Sequence, residues 1–183
     1  VYRSPFLWVL PLLSAVFALS TAGGLVYLLA KANAITLSGQ SQGILSVLVL
    51  GAATDYALLL ISRYREELHH HQSVYESMKI AYRGIFEPIL ASGLTVISGL
   101  LVLLLSDLKG NQSLGPVGAI GIASAMLTIL TLLPAALVLF GRWIFWPRIP
   151  KFDDRNAQLE GFWAKVGDMV ARRPKSLAIS TAI

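Results

Sequence analysis

Residues 51–68 read GAATDYALLLISRYREEL and set a carboxylic acid, Asp55, and a phenol, Tyr56, among small and aliphatic side chains. In hydrocarbon an aspartate costs about 2.5–3.5 kcal/mol on insertion scales, against about 0.3–0.6 gained per Leu, Ile or Val. Ten such aliphatic residues between Ile44 and Ile61 are enough to keep the segment inserted, so a tolerated structural aspartate is one reading of Asp55. A functional one is the other, because intramembrane carboxylates usually mark ion or proton paths and a change in their charge alters which helix packing is favoured. Asp55 lies about eight residues before Arg63, so at 1.5 Å per residue it is too deep to reach water by snorkelling. Tyr56 either joins a proton relay with it or packs.

Small residues surround the acid. Gly51 and Ala52 precede it by one helical turn and Ser62 follows two turns later; Ser92, Thr95 and Gly99 form a comparable surface, as do Gly115, Gly118, Gly121 and Ala125. Such faces let helix backbones approach closely in a membrane, and packing is the expected role of Gly51, Ala52, Gly99, Gly115, Gly118 and Gly121. The hydroxyls of Ser92 and Thr95 read equally as packing residues or as a proton wire toward a carboxylate at similar depth.

Other chemistries find little support. His69, His70 and His71 are consecutive, so on a helix they point about 100° apart, and no carboxylate is placed to complete a metal site; they are expected in a solvated loop. No Gly-x-x-x-x-Gly-Lys-Ser/Thr run offers a nucleotide-phosphate cradle. The three histidines cluster together, which leaves no serine-histidine-acid arrangement, and the absence of cysteine excludes a disulfide framework and a thiolate nucleophile. No enzyme, metal or organic cofactor is expected.

The elements that must position Asp55 are legible from hydropathy. Of 183 residues, 55% are hydrophobic and 14% charged, and mean hydropathy is +0.67, outside the usual range of soluble domains. Stretches free of Asp, Glu, Lys and Arg run over 4–30, 32–54, 88–106 and 110–141, each able to cross a core that takes roughly 20 helical residues. An all-α, polytopic bundle follows, with four spans at about 5–30, 41–63, 88–107 and 114–140. A fifth apolar run begins at Ser176 and is cut at Ile183, and the chain starts at Val1, so a piece of a longer protein is expected. The first run is too long for the apolar region of a signal peptide, despite an Ala32-Asn33-Ala34 site. Pro5 suits a first helical turn and Pro11 is expected to bend the helix.

Alternation of the spans puts thirteen of the fifteen basic residues on one side, with Lys31 and Lys109 on the other. The positive-inside rule makes the basic side cytoplasmic, with 64–87 and 142–175 as its loops, in a cell (inner) membrane. Topology thus explains the pI near 9.7, and no nucleic-acid-binding motif accompanies it. Ser73-x-x-Glu76 is a capping box opening a short amphipathic helix with Tyr75, Met78, Tyr82 and Ile85 on one face, expected on the membrane surface. Leu159, Phe162, Val166 and Val170 repeat that pattern with Trp163 at the interface, after a flexible linker over 147–157.

Gly51-Ala-Ala-Thr-Asp55-Tyr56 followed by Ser62-Arg63-Tyr64-Arg65-Glu66-Glu67 resembles the fourth transmembrane helix of the MMPL branch of the RND transporter superfamily. Ser38-Gly39-Gln40, Leu114-Gly115-Pro116-Val117-Gly118 and Leu132-Leu133-Pro134-Ala135 add to the resemblance, which covers nearly the whole chain. It implies helices three to six of an amino-terminal half, with a seventh starting after Arg172-Arg173-Pro174. It also implies a proton-gradient-driven exporter of lipids or other hydrophobic molecules, with Asp55 and Tyr56 as half of a paired Asp-Tyr relay whose other half lies in a second, pseudo-symmetric set of helices. Alternatives are a protein-export motor of the related SecDF type, whose Asp-Ala-Asn-like motif Asp55-Tyr56-Ala57 does not match, and a non-transporting sterol-sensing or scaffold module.

Overall fold

The computed structural model describes residues 8–33, 35 and 39–145. Four long helices account for nearly all of them: α1 (Val9–Lys31), α2 (Gly39–His70), α3 (Val74–Val102) and α4 (Lys109–Phe140), with 3-10 turns at Leu103–Leu105 and Gly141–Phe145. No strand occurs among the described residues, and all four helices are long and apolar enough to cross a membrane. The fold is an all-α helical bundle.

α4 sits at the centre and packs against the other three helices; α2 also packs against α1 and α3. In a bilayer the drive for this is close packing rather than escape from water, so small side chains decide how near two helices come. α1 presents Ala15, Ala18 and Ala22, all fully buried and one helical face apart by three and four residues. α2 contributes Leu45, Val49, Ala53, Ala57, Leu60 and Tyr64, and α4 contributes Val117, Ile122, Ala125, Ile129, Leu133 and Leu137. α3 is the outlier, since most of its membrane-crossing length is exposed.

The helices run further than hydropathy indicates. α2 continues past Arg63 to His70, so His69 and His70 occupy its last turn instead of a loop. Arg63 supports that extension by pairing with Glu66 at 2.8 Å and Glu67 at 2.9 Å, the i,i+3 and i,i+4 neighbours that a helix brings together. Ser73 caps α3 by accepting from the Glu76 amide at 3.3 Å, but the helix it opens is no separate surface element: it continues through Pro88 to Val102. Pro88 has no N–H to offer the Gly84 carbonyl, and both residues lie on an exposed face where the broken bond does not disturb packing.

α4 likewise opens early. The Ser106 hydroxyl accepts from the Leu108 amide and from Asn111 Nδ2 at 3.3 and 3.2 Å, and its carbonyl accepts from Gln112 Nε2 at 2.7 Å. This knot starts the helix at Lys109 and makes Pro116 an interior residue. Pro11 falls in the first turn of α1, where an amide has no intrahelical partner to lose. Pro5, the linker at 147–157, the helix expected over Leu159–Val170 and the run from Ser176 lie outside the described residues.

At the end carrying the α2–α3 turn, Arg142 reaches back across the bundle to donate from Nη2 to the carbonyls of His71 and Gln72 at 2.6 and 3.1 Å. The Phe145 ring leans on Tyr64 at a centroid distance of 6.1 Å. Gly141 makes the necessary corner with φ of 56°, a left-handed conformation that side chains with a Cβ rarely adopt.

Candidate functional site

Asp55 faces outward. Gly51, Asp55, Leu59, Ser62 and Glu66 are all exposed, and at about 100° per residue they fall within about 80° of arc, a single stripe along α2. Tyr56, next in sequence, turns inward and is only 8% exposed. Neither the Asp55 carboxylate nor the Tyr56 hydroxyl has a hydrogen bond or ion pair with any described residue. The acid and the phenol therefore look to different sides of α2, and whatever meets Asp55 comes from outside these four helices.

α3 carries a second stripe that matches it. Gly84, Pro88, Ala91, Ser92, Thr95 and Gly99 are all exposed and lie within about 100° of arc. At the end near the α2–α3 turn the two stripes meet in a groove of about 320 Å³ lined by Leu59, Ser62, Arg63, Glu66, Gly84 and Ile85. Ser92 and Thr95 thus stand on the stripe that borders the groove. They are not joined to Asp55: the Thr95 hydroxyl donates to the Ala91 carbonyl of its own helix at 2.8 Å.

The glycines divide into two sets. A Cβ on Gly115 would lie 2.7 Å from the Leu100 carbonyl oxygen, one on Gly118 3.1 Å from Leu100 Cδ1, and one on Gly121 2.5 Å from Leu45 Cδ1, so these three sit at close helix contacts with α3 and α2. Gly51 and Gly99 have nothing within 4 Å, and Ala52 is half-buried against the core. Both open glycines belong to the outward stripes. Gly93, not singled out from sequence, abuts Met126 across the α3–α4 contact.

A charge cluster around one buried carboxylate lies at the same end and was not singled out from sequence. Glu67 is 6% exposed; one carboxylate oxygen meets Arg63 Nη2 and the other lies 3.5 Å from His71 Nδ1, while its carbonyl accepts from the Ser77 hydroxyl at 3.3 Å. The signal for it was the spacing Arg63, Glu67, His71, two successive i,i+4 steps. No group of three or more His, Cys, Asp or Glu placed to hold a metal occurs among the described residues.

Comparison with known proteins gives a coherent neighbourhood. The MMPL family model matches residues 1–177. The putative membrane protein ActII-3 of Streptomyces coelicolor is 47% identical over 182 residues, covering 100% of this chain and 26% of that protein. The apo-petrobactin exporter of Bacillus anthracis is 35% identical over 195 residues, 99% of this chain and 26% of the exporter. The sulfolipid-1 exporter MmpL8 of Mycobacterium tuberculosis is 32% identical over 185 residues, 100% of this chain and 16% of the exporter. The chain spans about a quarter or less of the length of these relatives. No solved structure matches.

Proposed function

The chain belongs to the MMPL family, and from that premise we propose that it is part of the membrane domain of a transporter that exports lipids or other hydrophobic molecules at the expense of a proton gradient. Asp55 is the group that takes up and releases the coupled proton. The observation that carries this reading is the stripe itself: a carboxylate with no partner among the described residues, on the same exposed face of α2 as Gly51 and Ser62, with a second small, hydroxyl-bearing stripe exposed on the neighbouring α3. A bare carboxylate facing hydrocarbon is costly, so a helix from the rest of the longer protein covers it. Gain or loss of the proton changes the charge on that shared face and with it which packing of α2 against the covering helix is favoured.

Tyr56 supports the relay from behind, holding the α2 face against the core, and Ser92 and Thr95 line the route beside Asp55. Two relatives are named as exporters, which supports transport as the class of activity; a hydrophobic or lipid cargo rests on the likeness to the sulfolipid-1 exporter alone. The test uses the full-length protein in vesicles with a pH-sensitive dye inside and an imposed gradient. Asn matches the shape of Asp but does not ionise, so Asp55→Asn should express normally and abolish substrate-dependent proton flux. Normal flux in that variant would make Asp55 structural and favour a scaffold over a transporter.

A further inference from the structure

On the side of α3 opposite the Ser92–Thr95 stripe, the exposed residues form a different pattern. Tyr75, Lys79, Arg83, Phe86, Leu90, Leu94 and Leu101 lie within about 100° of arc, ordered from polar to apolar along the axis. At about 1.5 Å per residue, the distance from Leu105 back to Arg83 is about 33 Å. That is about the thickness of a bilayer's hydrocarbon core, roughly 30 Å. Arg83 and the exposed Glu87 therefore stand at the boundary with Phe86 between them, and Lys79 and Tyr75 lie one and two turns further out.

A groove of about 450 Å³ opens at the polar end, lined by Ser73, Tyr75, Glu76, Lys79, Ile80 and Arg83. Neither Lys79 nor Arg83 makes an ion pair or hydrogen bond with any described residue, in contrast to Arg63 and Arg142, which are both engaged. Glu76 is the one carboxylate in the groove. Within the groove's lining two cations face one carboxylate; Glu87, exposed one turn below Arg83, lies outside that lining, so the groove itself carries the single positive charge that complements one phosphodiester.

We infer that this groove is a binding site for an anionic phospholipid of the surrounding leaflet, with its phosphate between Lys79 and Arg83 and an acyl chain along Phe86, Leu90 and Leu94. Glu76, one turn outward of Lys79, accepts from the hydroxyl groups of a glycerol headgroup. A soluble phosphate would satisfy the cations but leave the apolar shaft below them uncovered. The site is separate from Asp55 and does not depend on the proton-relay reading.

The experiment uses the full-length protein, purified, delipidated and titrated with phosphatidylglycerol, phosphatidylcholine or inorganic phosphate while retained ligand is counted by native mass spectrometry. Phosphatidylglycerol should bind most tightly, and Lys79→Gln with Arg83→Gln should weaken it about tenfold or more, as expected for two cations near an anionic surface. Lys31→Gln, at the other end of the bundle, should leave it unchanged. Equal retention of the two lipids, an unaltered double variant, or inorganic phosphate competing as well as the lipid would each overturn the assignment. Should the double variant not fold, Phe86→Trp with both cations intact reads the same site. The added fluorescence should be quenched at a lower mole fraction of brominated phosphatidylglycerol than of brominated phosphatidylcholine, and equal quenching would sink the proposal.

Discussion

Asp55 and Glu67 are three turns apart on one helix and are treated in opposite ways. Glu67 points into the bundle and is held by Arg63 on one oxygen with His71 beside the other. Asp55 points out and is held by nothing described here. Removing Glu67 leaves Arg63 with Glu66 alone and orphans the surroundings of a buried carboxylate, so Glu67→Ala should destabilise the protein by about 1–3 kcal/mol in denaturant unfolding in detergent, the range for leaving buried polar groups unsatisfied. Asp55→Asn, which removes no described hydrogen bond or ion pair, should cost less than Glu67→Ala in the same measurement. Stability curves in which the two variants change places would mean that Asp55 is a structural charge. Sequence alone finds Asp55, because a lone acid in an aliphatic run is visible from hydropathy. It misses Glu67, which lies in an ordinary charged stretch and becomes special only when Ser77 and the α2–α3 turn close over it.

Among the elements, α3 and α4 show why small residues are an ambiguous signal. The same residue type serves close packing at Gly115, Gly118 and Gly121 and an open face at Gly51 and Gly99; nothing in the spacing separates them, because what matters is which side of each helix α4 covers. The prediction that follows concerns what a single methyl would meet. At Gly115 it meets the Leu100 backbone carbonyl, which cannot move without α3, whereas at Gly93 it meets the flexible end of Met126. Gly115→Ala should therefore cost about 1–3 kcal/mol, the usual range for overpacking, and lower the folded yield seen by size exclusion, while Gly93→Ala should be milder. Gly99→Leu should leave the folded yield of these helices intact and impair transport, since it alters only the stripe beside Asp55. The helix ends were the other hidden feature. Charged residues past Arg63 and polar ones at 109–113 look like loop by hydropathy, yet Arg63 pairs along α2 and Ser106 knots the start of α4, so local hydrogen bonds extend both helices.

For the molecule as a whole, the fold groups the segments by end and the arrangement of charge distinguishes the two ends. Alternating spans bring 63–87 and the region from Arg142 to one end, and the hydrogen bonds from Arg142 to His71 and Gln72 tie those two segments together across 70 or more residues of chain. The opposite end holds Lys31 and the Ser106 knot. Thirteen of fifteen basic residues belong to the segments assigned to the Arg142 end, and from that asymmetry we propose that this end is the cytoplasmic one. The chain contains no cysteine, so single reporters can be placed in it, checked against a cysteine-free full-length background. Gln72 and Gly110 are both exposed, at opposite ends, and Gly110 has nothing within 4 Å of an added Cβ. In intact cells Gln72→Cys should resist a membrane-impermeant maleimide and react only after permeabilisation, while Gly110→Cys should react at once. The reverse pattern would invert the protein in the membrane, place the Lys79–Arg83 groove in the outer leaflet, and require the proton at Asp55 to leave toward the opposite side.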